Sequence, residues 1–494
     1  MPPTRRLISL PTTESESLSE EFTKEALKWV AQNKGLALDP DAGHYTSPRI
    51  SSEIMDCSMP MTFDHYNVCS LGCAYCFAFF FKSNNPATKD LTLKTVNMRS
   101  LINAISGQPT DSRGRMFHKH FYSKKFLLHW GGMADPFCNF ERTNKTGLPL
   151  LRTLGELNYP TLFSFKGNTI LTEEYFRIFQ DFSAQKNFAF QVSMVTADPK
   201  MAAKVEVGVP SPAQRLKAIK ALSDLGYWTI LRLRPFIIGV TDESLDDLLN
   251  MALEAGISAI STEFFALDAR ANVGMKTRYD WLAKIIGTDN LMKYFKDLSP
   301  RERGGYMRLN RLVKEPYIRK IYQFCAENGL VLGVSDPDFK ELNTSGSCCG
   351  MPDAYPDNPL LCNWTRNQLT YHLKQMRLSY HKPIHLGIEE VLHAGQALKF
   401  SDVFPDDVSY LDDTELTNDH VSVSSMCNAE RYAHTYRSIL RAHWNNMRSP
   451  ANPRNYFHGK LMPVGVDEQG DLVYRYNPSE YEKRWMNEGM DLTK

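Results

Sequence analysis

The sequence predicts an α/β fold, a sheet or partial barrel of parallel strands, on three observations. Short β-like runs alternate with helical ones from about Phe63 to Asp336. Helical runs between them carry readable start and stop signals. Three cysteines gather in the loop after the first strand, where such folds place their chemistry. Strict alternation of strand and helix means parallel strands joined by right-handed crossovers, with the active site at the C-terminal strand ends.

In chain order the strand runs are TFDHYNV (Thr62 to Val68), KFLLHW (Lys125 to Trp130), PTLFSFK (Pro160 to Lys166), FAFQVSM (Phe188 to Met194), WTILRLR (Trp228 to Arg234), SAISTEF (Ser258 to Phe264) and LVLGVS (Leu330 to Ser335). Each is rich in β-branched or aromatic residues and bounded by polar or turn-forming ones. Before the fifth run, Ser211 has the position of an N-cap, with Pro212 at the first helical position and Gln214 completing a capping box. Leu216, Ile219, Ala221 and Leu222 supply the apolar face, and Gly226 is a suitable C′ residue.

A chain of 494 residues with 43% hydrophobic and 23% charged residues builds a large core and more than one structural unit. Its formal net charge of +1 means that any nucleic-acid partner is met by a local basic face. The N-terminus has two arginines but no apolar signal region, and no stretch reaches the roughly 18 consecutive apolar residues of a membrane span. The expectation is a cytoplasmic protein (host cytoplasm if phage-encoded) with no membrane partner.

The ten cysteines are Cys57, Cys69, Cys73, Cys76, Cys138, Cys325, Cys348, Cys349, Cys362 and Cys427. In a chain of this length without a signal region, clustered thiols are metal ligands or catalytic groups before they are disulfides. Cys69, Cys73 and Cys76 form a C-x3-C-x2-C array in YNVCSLGCAYCFAFFF, with Tyr75 before the last cysteine. Three thiolates hold three irons of a 4Fe-4S cubane and leave the fourth open, whereas a structural zinc site is closed by four ligands. The bland alternative is packing in the core, or zinc shared with Cys57 or Cys138.

That array, its place after the first strand, and the ordered stretches HWGGMADPFCNFE, FSFKGN and QVSMVTADPKMAAKVEVGVPSPAQRLKAIKALSDLGYWTILRLRPFIIGVTDE resemble the radical S-adenosylmethionine (radical SAM) superfamily, and within it the spore photoproduct lyase-like family. The resemblance covers roughly residues 61 to 270, more weakly to 340. It implies a partial (β/α)6-type TIM barrel over 61–340, between an N-terminal extension over 1–60 and a C-terminal extension over 341–494. It further implies a 4Fe-4S cluster on Cys69, Cys73 and Cys76, with S-adenosyl-L-methionine reductively cleaved to a hydrogen-abstracting 5′-deoxyadenosyl radical. A one-electron donor such as flavodoxin or ferredoxin would be a partner. Gly131, Gly132 and Met133 fall where the superfamily receives the methionine amino group through backbone atoms, and close backbone approach suits glycine. Lys166 and Ser193 fall at positions near the cofactor carboxylate and ribose, and Tyr75 belongs to the same cofactor-binding set. Asp135 is expected to touch cofactor or substrate. The family's hydrogen-donating cysteine is replaced by Gly132. Cys138, three residues after Asp135, either takes over that role or is a small buried residue. An isomerisation that returns hydrogen from 5′-deoxyadenosine needs no such cysteine.

Two further features lie outside that motif set. Cys348, Cys349 and Cys362, in TSGSCCGMPDAYPDNPLLCNW, hold either an auxiliary iron-sulfur cluster or zinc, or are reduced structural thiols. Two basic stretches interleaved with aromatics, Arg113 to Lys125 and Arg431 to Lys460, combine phosphate neutralisation with base stacking, or are solvated faces whose aromatics pack on the barrel. The functional expectation is radical chemistry on a nucleic-acid base, with a thymine-derived base in DNA as leading substrate, by isomerisation of a hypermodified thymidine or lesion reversal. A radical SAM maturase acting on a peptide or protein, and a non-catalytic iron-sulfur nucleic-acid-binding protein, are the alternatives.

Overall fold

The computed structural model describes residues 36–43, 48–50, 59, 61–78, 92–123, 125–268, 273–297, 301–303, 306–345, 347–351, 354–355, 397–403, 441, 444–447, 452–456 and 461–477. Cys57, Cys362, Cys427 and most of the stretch from Arg431 to Lys460 lie outside the described residues.

All seven strand runs are present, most with shorter bounds, while the fifth extends two residues further to Phe236. The strands that position the site are β1 (Arg49–Ile50), β2 (Met61–Phe63), β3 (Gly72–Cys73), β4 (Leu128–Trp130), β5 (Thr161–Phe165), β6 (Phe188–Ser193), β7 (Glu206–Val207), β8 (Trp228–Phe236), β9 (Ala259–Phe264), β10 (Tyr306–Arg308) and β11 (Val331–Val334). An eight-stranded sheet has the order β11-β9-β8-β6-β5-β4-β2-β1. Every neighbouring pair from β2 to β11 is parallel, and β1 alone joins antiparallel at the β2 edge. The result is a mixed α/β fold with a parallel-sheet core. Among the described residues it carries seven parallel strands in sequence order, one more than a six-unit barrel.

Helices α1 (Asn139–Asn144), α2 (Leu148–Glu156), α3 (Glu173–Asp181), α4 (Pro199–Val205), α5 (Pro212–Asp224), α6 (Leu245–Glu254), α7 (Val273–Ile285) and α8 (Arg311–Glu327) follow in the connections. Both bonds of the predicted capping box exist at α5, Ser211 to Gln214 and back, and Gly226 adopts a φ of +75° just past its end. The helix-side core is aromatic: Phe163, Phe179, Phe188, Phe190 and Tyr227 are buried against one another, mostly edge to face. No helix among the described residues is long and apolar enough to cross a membrane.

The first run ends as a strand at Phe63 rather than Val68 because its polar residues leave the ladder for specific partners. Asp64 turns to accept the N–H groups of Met133 (2.8 Å) and Ala134 (2.7 Å). His65 Nδ1 accepts from Trp130 Nε1 (3.0 Å), which places its proton on Nε2, facing Glu141 Oε2 (3.0 Å). Glu141 also accepts from Tyr66 (2.8 Å), Tyr175 and Gly147 N (2.8 Å). Burial alone would raise the Glu141 carboxyl, but His65 and the donated hydrogen bonds bring it below its usual range. This buried hub ties the cysteine loop to α1 and α3.

Near the C-terminus, strands β12 (Ala397–Leu398), β13 (Leu461–Val466) and β14 (Leu472–Tyr476) form a separate antiparallel sheet. Trp444 is fully buried there, edge-on to Tyr474 and Phe400, with its Nε1 donating to Leu472 O (2.6 Å). Arg441 pairs with Asp471 (3.0 Å). In the other basic stretch Phe117, Phe121 and Tyr122 are buried as well. At these positions the expectation of base-stacking aromatics gives way to core packing, because each ring is enclosed by apolar neighbours.

Candidate active site

The cysteine loop is docked by a short second ladder. β3 pairs antiparallel with β7, placing Cys73 opposite Glu206, and Ala74 N donates to Val205 O (2.9 Å). Below it runs a buried relay. Tyr75 OH donates to Glu206, whose other oxygen pairs with Arg215 Nη2 (2.6 Å), while Arg215 Nη1 donates to the Ser193 carbonyl (2.7 Å). Tyr75, Glu206, Arg215 and Ser193 are all buried, so the loop is fixed to β6, β7 and α5 by a solvent-free ion pair.

The three thiols face cationic groups. Burial pulls the Arg278 guanidinium of α7 down, opposed by Cys76, Cys73 and Cys69, all within its electrostatic reach. Arg278 also donates to the Cys73 carbonyl. Burial pushes the Cys73 thiol well above its usual range, and Lys166 acts against that rise. Lys166 Nζ lies 5.5 Å from the Tyr75 ring centroid, a cation–π contact at the end of β5. A hydrogen bond shared with Cys138, together with burial, holds the Cys69 thiol up.

Among the described residues no group of three or more His, Cys, Asp or Glu side chains is arranged to hold a metal ion. A cubane cluster sets a different requirement, one thiolate per iron with no convergence on a single centre. The donor set fits that requirement: three thiols from one eight-residue loop, set against Arg278 and Lys166, whose charges favour the thiolates that ligation needs.

The glycine turn after β4 is built for close approach. Gly131 has a φ of +107°, and a Cβ there would lie 2.2 Å from the Ser164 carbonyl oxygen. Its N–H donates to Phe63 O (2.9 Å). Asp64 already takes the Met133 and Ala134 N–H groups, so neither amide is left to offer a ligand. Gly132 and Met133 are half-buried in the same turn. Asp135 is buried and accepts backbone N–H groups from Phe137 (2.8 Å), Lys166 and Gly167 (2.9 Å), clamping the ends of β4 and β5 together. Burial raises its carboxyl despite those bonds. Cys138 is buried beneath the loop. Burial pushes its thiol up, but hydrogen bonds with Cys69 and Ser70 outweigh that and leave it below its usual value.

Sequence reasoning did not anticipate the chemistry of the concave face. Leu162, Ala189, Ile230 and Ala259 form one buried cluster with Cys349 and Met351, while Phe163, Phe190, Leu231 and Ile260 belong to the helix-side core. Strand alternation therefore places Ser164, Gln191, Arg232 and Ser261 on the inner face, followed by Lys166, Ser193, Arg234 and Glu263 nearer the C-terminal ends. Ordinary barrels fill these layers with branched apolar side chains; here His129, Ser164 and Gln191 form a hydrogen-bonded chain (2.8 and 2.7 Å). Gln191 continues to the Cys349 carbonyl (2.8 Å), and Ser261 donates to that of Cys348 (2.8 Å). The Cys348–Cys349 turn thus closes the N-terminal end of the inner face through its backbone. The Cys349 sulfur meets Ser347 Oγ at 2.9 Å.

No protein-family model matches the chain. An uncharacterized protein of Mycobacterium tuberculosis (strain H37Rv) is 25% identical over 219 residues, covering 43% of this chain and 59% of that protein. A Mycobacterium bovis protein aligns with the same figures, so the chain spans less than two thirds of the length of these curated relatives. Among solved structures, a cysteine-to-serine mutant of spore photoproduct lyase is similar with a TM-score of 0.43 and 11% identity, over 66% of this chain and 85% of that one. Streptococcus suis SuiB bound to S-adenosylmethionine is similar with a TM-score of 0.36 and 14% identity, over 61% and 53%.

Proposed function

We propose that this chain is a radical SAM enzyme acting on a nucleic-acid base, with a thymine-derived base in DNA as its substrate. The observation that carries the radical SAM reading is the C-x3-C-x2-C loop, held by the β3–β7 ladder with three thiols around Arg278. The 4Fe-4S cluster and S-adenosylmethionine, when bound, supply a 5′-deoxyadenosyl radical that abstracts hydrogen from the substrate. Cys69, Cys73 and Cys76 would hold the cluster. Carbonyl oxygens of the turn at Gly131, Gly132 and Met133 would receive the methionine ammonium, Lys166 its carboxylate, and Ser193 the ribose. Tyr75 keeps the loop seated through Glu206 and Lys166.

Asp135 acts in this reading as a positioning residue, since its oxygens are already engaged by three backbone amides. The burial of Cys138 against Cys69 and Ser70 favours chemistry that returns hydrogen from 5′-deoxyadenosine, an isomerisation, over donation by a cysteine. The choice of a nucleic-acid base rests on the ordered family-like stretches between residues 61 and 270.

The test is mass spectrometry for 5′-deoxyadenosine, using anaerobically reconstituted, reduced protein with S-adenosylmethionine, alone and with DNA bearing damaged or hypermodified thymines. A DNA-dependent burst that is lost in Cys73→Ala is the expected result. Cleavage indifferent to every DNA would retain the radical chemistry and transfer the substrate assignment to peptides. No cleavage under any reducing condition would refute the enzyme reading.

A further inference from the structure

Arginine at alternate positions of a buried parallel strand is costly unless something uses it. Arg232 and Arg234 of β8 both face inward, in phase with Ile230, which lies in the buried inner cluster. Arg234 has its partners: Glu263 Oε2 at 2.8 Å and Ser335 Oγ at 2.8 Å. Arg308 of β10 takes the other Glu263 oxygen at 3.2 Å. Among the described residues one carboxylate therefore pairs with two guanidinium groups, and neither of its oxygens bonds Arg232. Arg232 is half-buried: its Nε is buried with no hydrogen-bond partner, and among the described residues the ion pair of this strand is made by Arg234.

Arg232 lies in register between Ser193, whose carbonyl accepts from Arg215 of the relay under the cysteine loop, and Ser261, which bonds the Cys348 carbonyl, and Arg234, Glu263, Tyr75 and Cys348 are within its electrostatic reach. Burial and the neighbouring Arg234 pull its guanidinium down to about 10, which still leaves a cation at neutral pH. A half-buried guanidinium whose Nε is shut away from water without a partner destabilises the chain that carries it. A planar guanidinium fork is matched by the paired oxygens of a carboxylate or phosphate.

We propose that Arg232 is the anion-docking residue of the substrate site, and that the substrate carries a carboxylate or phosphate group which seats on it beneath the cysteine loop. The inference deepens the proposed function, and depends on it only in calling this face the substrate site. The same oxyanion chemistry has two sources, the substrate and the carboxylate of S-adenosylmethionine, and the test separates them.

Thermal melting of the anaerobically reconstituted full chain is followed with and without inorganic phosphate for wild type, Arg232→Met and Arg232→Lys, and equilibrium binding of S-adenosylmethionine is measured in parallel. Without phosphate, Arg232→Met melts at or above wild type, because it removes an unpaired charge. Phosphate raises the melting point of wild type more than that of Arg232→Met, corresponding to about tenfold or greater loss of phosphate affinity, with Arg232→Lys between them. S-adenosylmethionine affinity stays within about twofold. Three results overturn the proposal: a lower melting point for Arg232→Met without phosphate, which makes the arginine structural; an equal phosphate response in all three proteins; or about tenfold weaker S-adenosylmethionine binding in the variant, which gives the anion to the cofactor. Formation of 5′-deoxyadenosine by wild type is scored separately, so the enzyme reading can fail while the anion site stands, and the reverse.

Discussion

Replacing Arg215 with Met isolates the relay that seats the cysteine loop. Arg215 makes two charge-assisted bonds, to Glu206 at 2.6 Å and to the Ser193 carbonyl at 2.7 Å, with 1% and 0% of the two ionic side chains exposed. Its removal strands a buried carboxylate whose remaining side-chain donor is Tyr75, and breaking one half of such a pair costs about 3–5 kcal/mol. With a urea dependence of about 3 kcal/mol per molar, the unfolding midpoint falls by about 1 to 2 M. Because Glu206 pairs with Cys73 through the backbone, iron retained per chain after anaerobic reconstitution should fall in parallel. The triple variant Arg215→Met, Glu206→Leu, Tyr75→Phe removes the charges and the orphaned hydroxyl together, and should recover most of the midpoint, since well-packed apolar replacements of buried pairs are often neutral. A triple variant less stable than Arg215→Met alone would refute the claim that the cost lies in an unpaired charge, and unchanged iron in Arg215→Met would refute the coupling to the loop.

Other predictions follow from the same geometry. Burial alone would raise the Glu263 carboxyl, but Arg234 and Arg308 hold it at about 2 against an ordinary 4.5. A depressed carboxyl stabilises the fold above its unfolded value, so up to about 3 kcal/mol is lost as pH falls from about 4.5 to about 2. Glu263→Gln should flatten the fall of urea midpoints over that window, and an unchanged slope would count against the ion triad. Gly131→Ala drives a Cβ to 2.2 Å from the Ser164 carbonyl in a left-handed backbone, and should cost about 2 kcal/mol or more in calorimetry; a neutral result would mean that the turn does not pack on β5 as described. Trp444→Ala should destabilise the C-terminal sheet by about 3–5 kcal/mol while leaving DNA affinity unchanged, because the ring is enclosed. Lost affinity with full stability would restore the stacking role.

What was legible in the sequence was whatever local chemistry determines. The seven strand runs, the capping box at Ser211 and the clustered thiols of Cys69, Cys73 and Cys76 each depend on residues a few positions apart, and all three appear where the pattern places them. The strand at Thr62 stops short of its sequence pattern because Asp64 and His65 find partners at Met133 and Glu141, some 70 residues away. The residues that seat the site were missed for the same reason. Glu206, Arg215 and Arg278 look like ordinary helix and loop charges until the fold carries them under the cysteine loop. Arg232 is the instructive case, because its signal is present: RLR within WTILRLR puts two guanidinium groups on one face of a strand expected in a parallel sheet. Strand period and burial together require partners for both, and the sequence shows no acid within that run. Among the described residues Glu263 pairs with Arg234 and the Arg232 Nε is left without a partner, so the local rule the strand breaks marks the point where we propose that a ligand's charge docks.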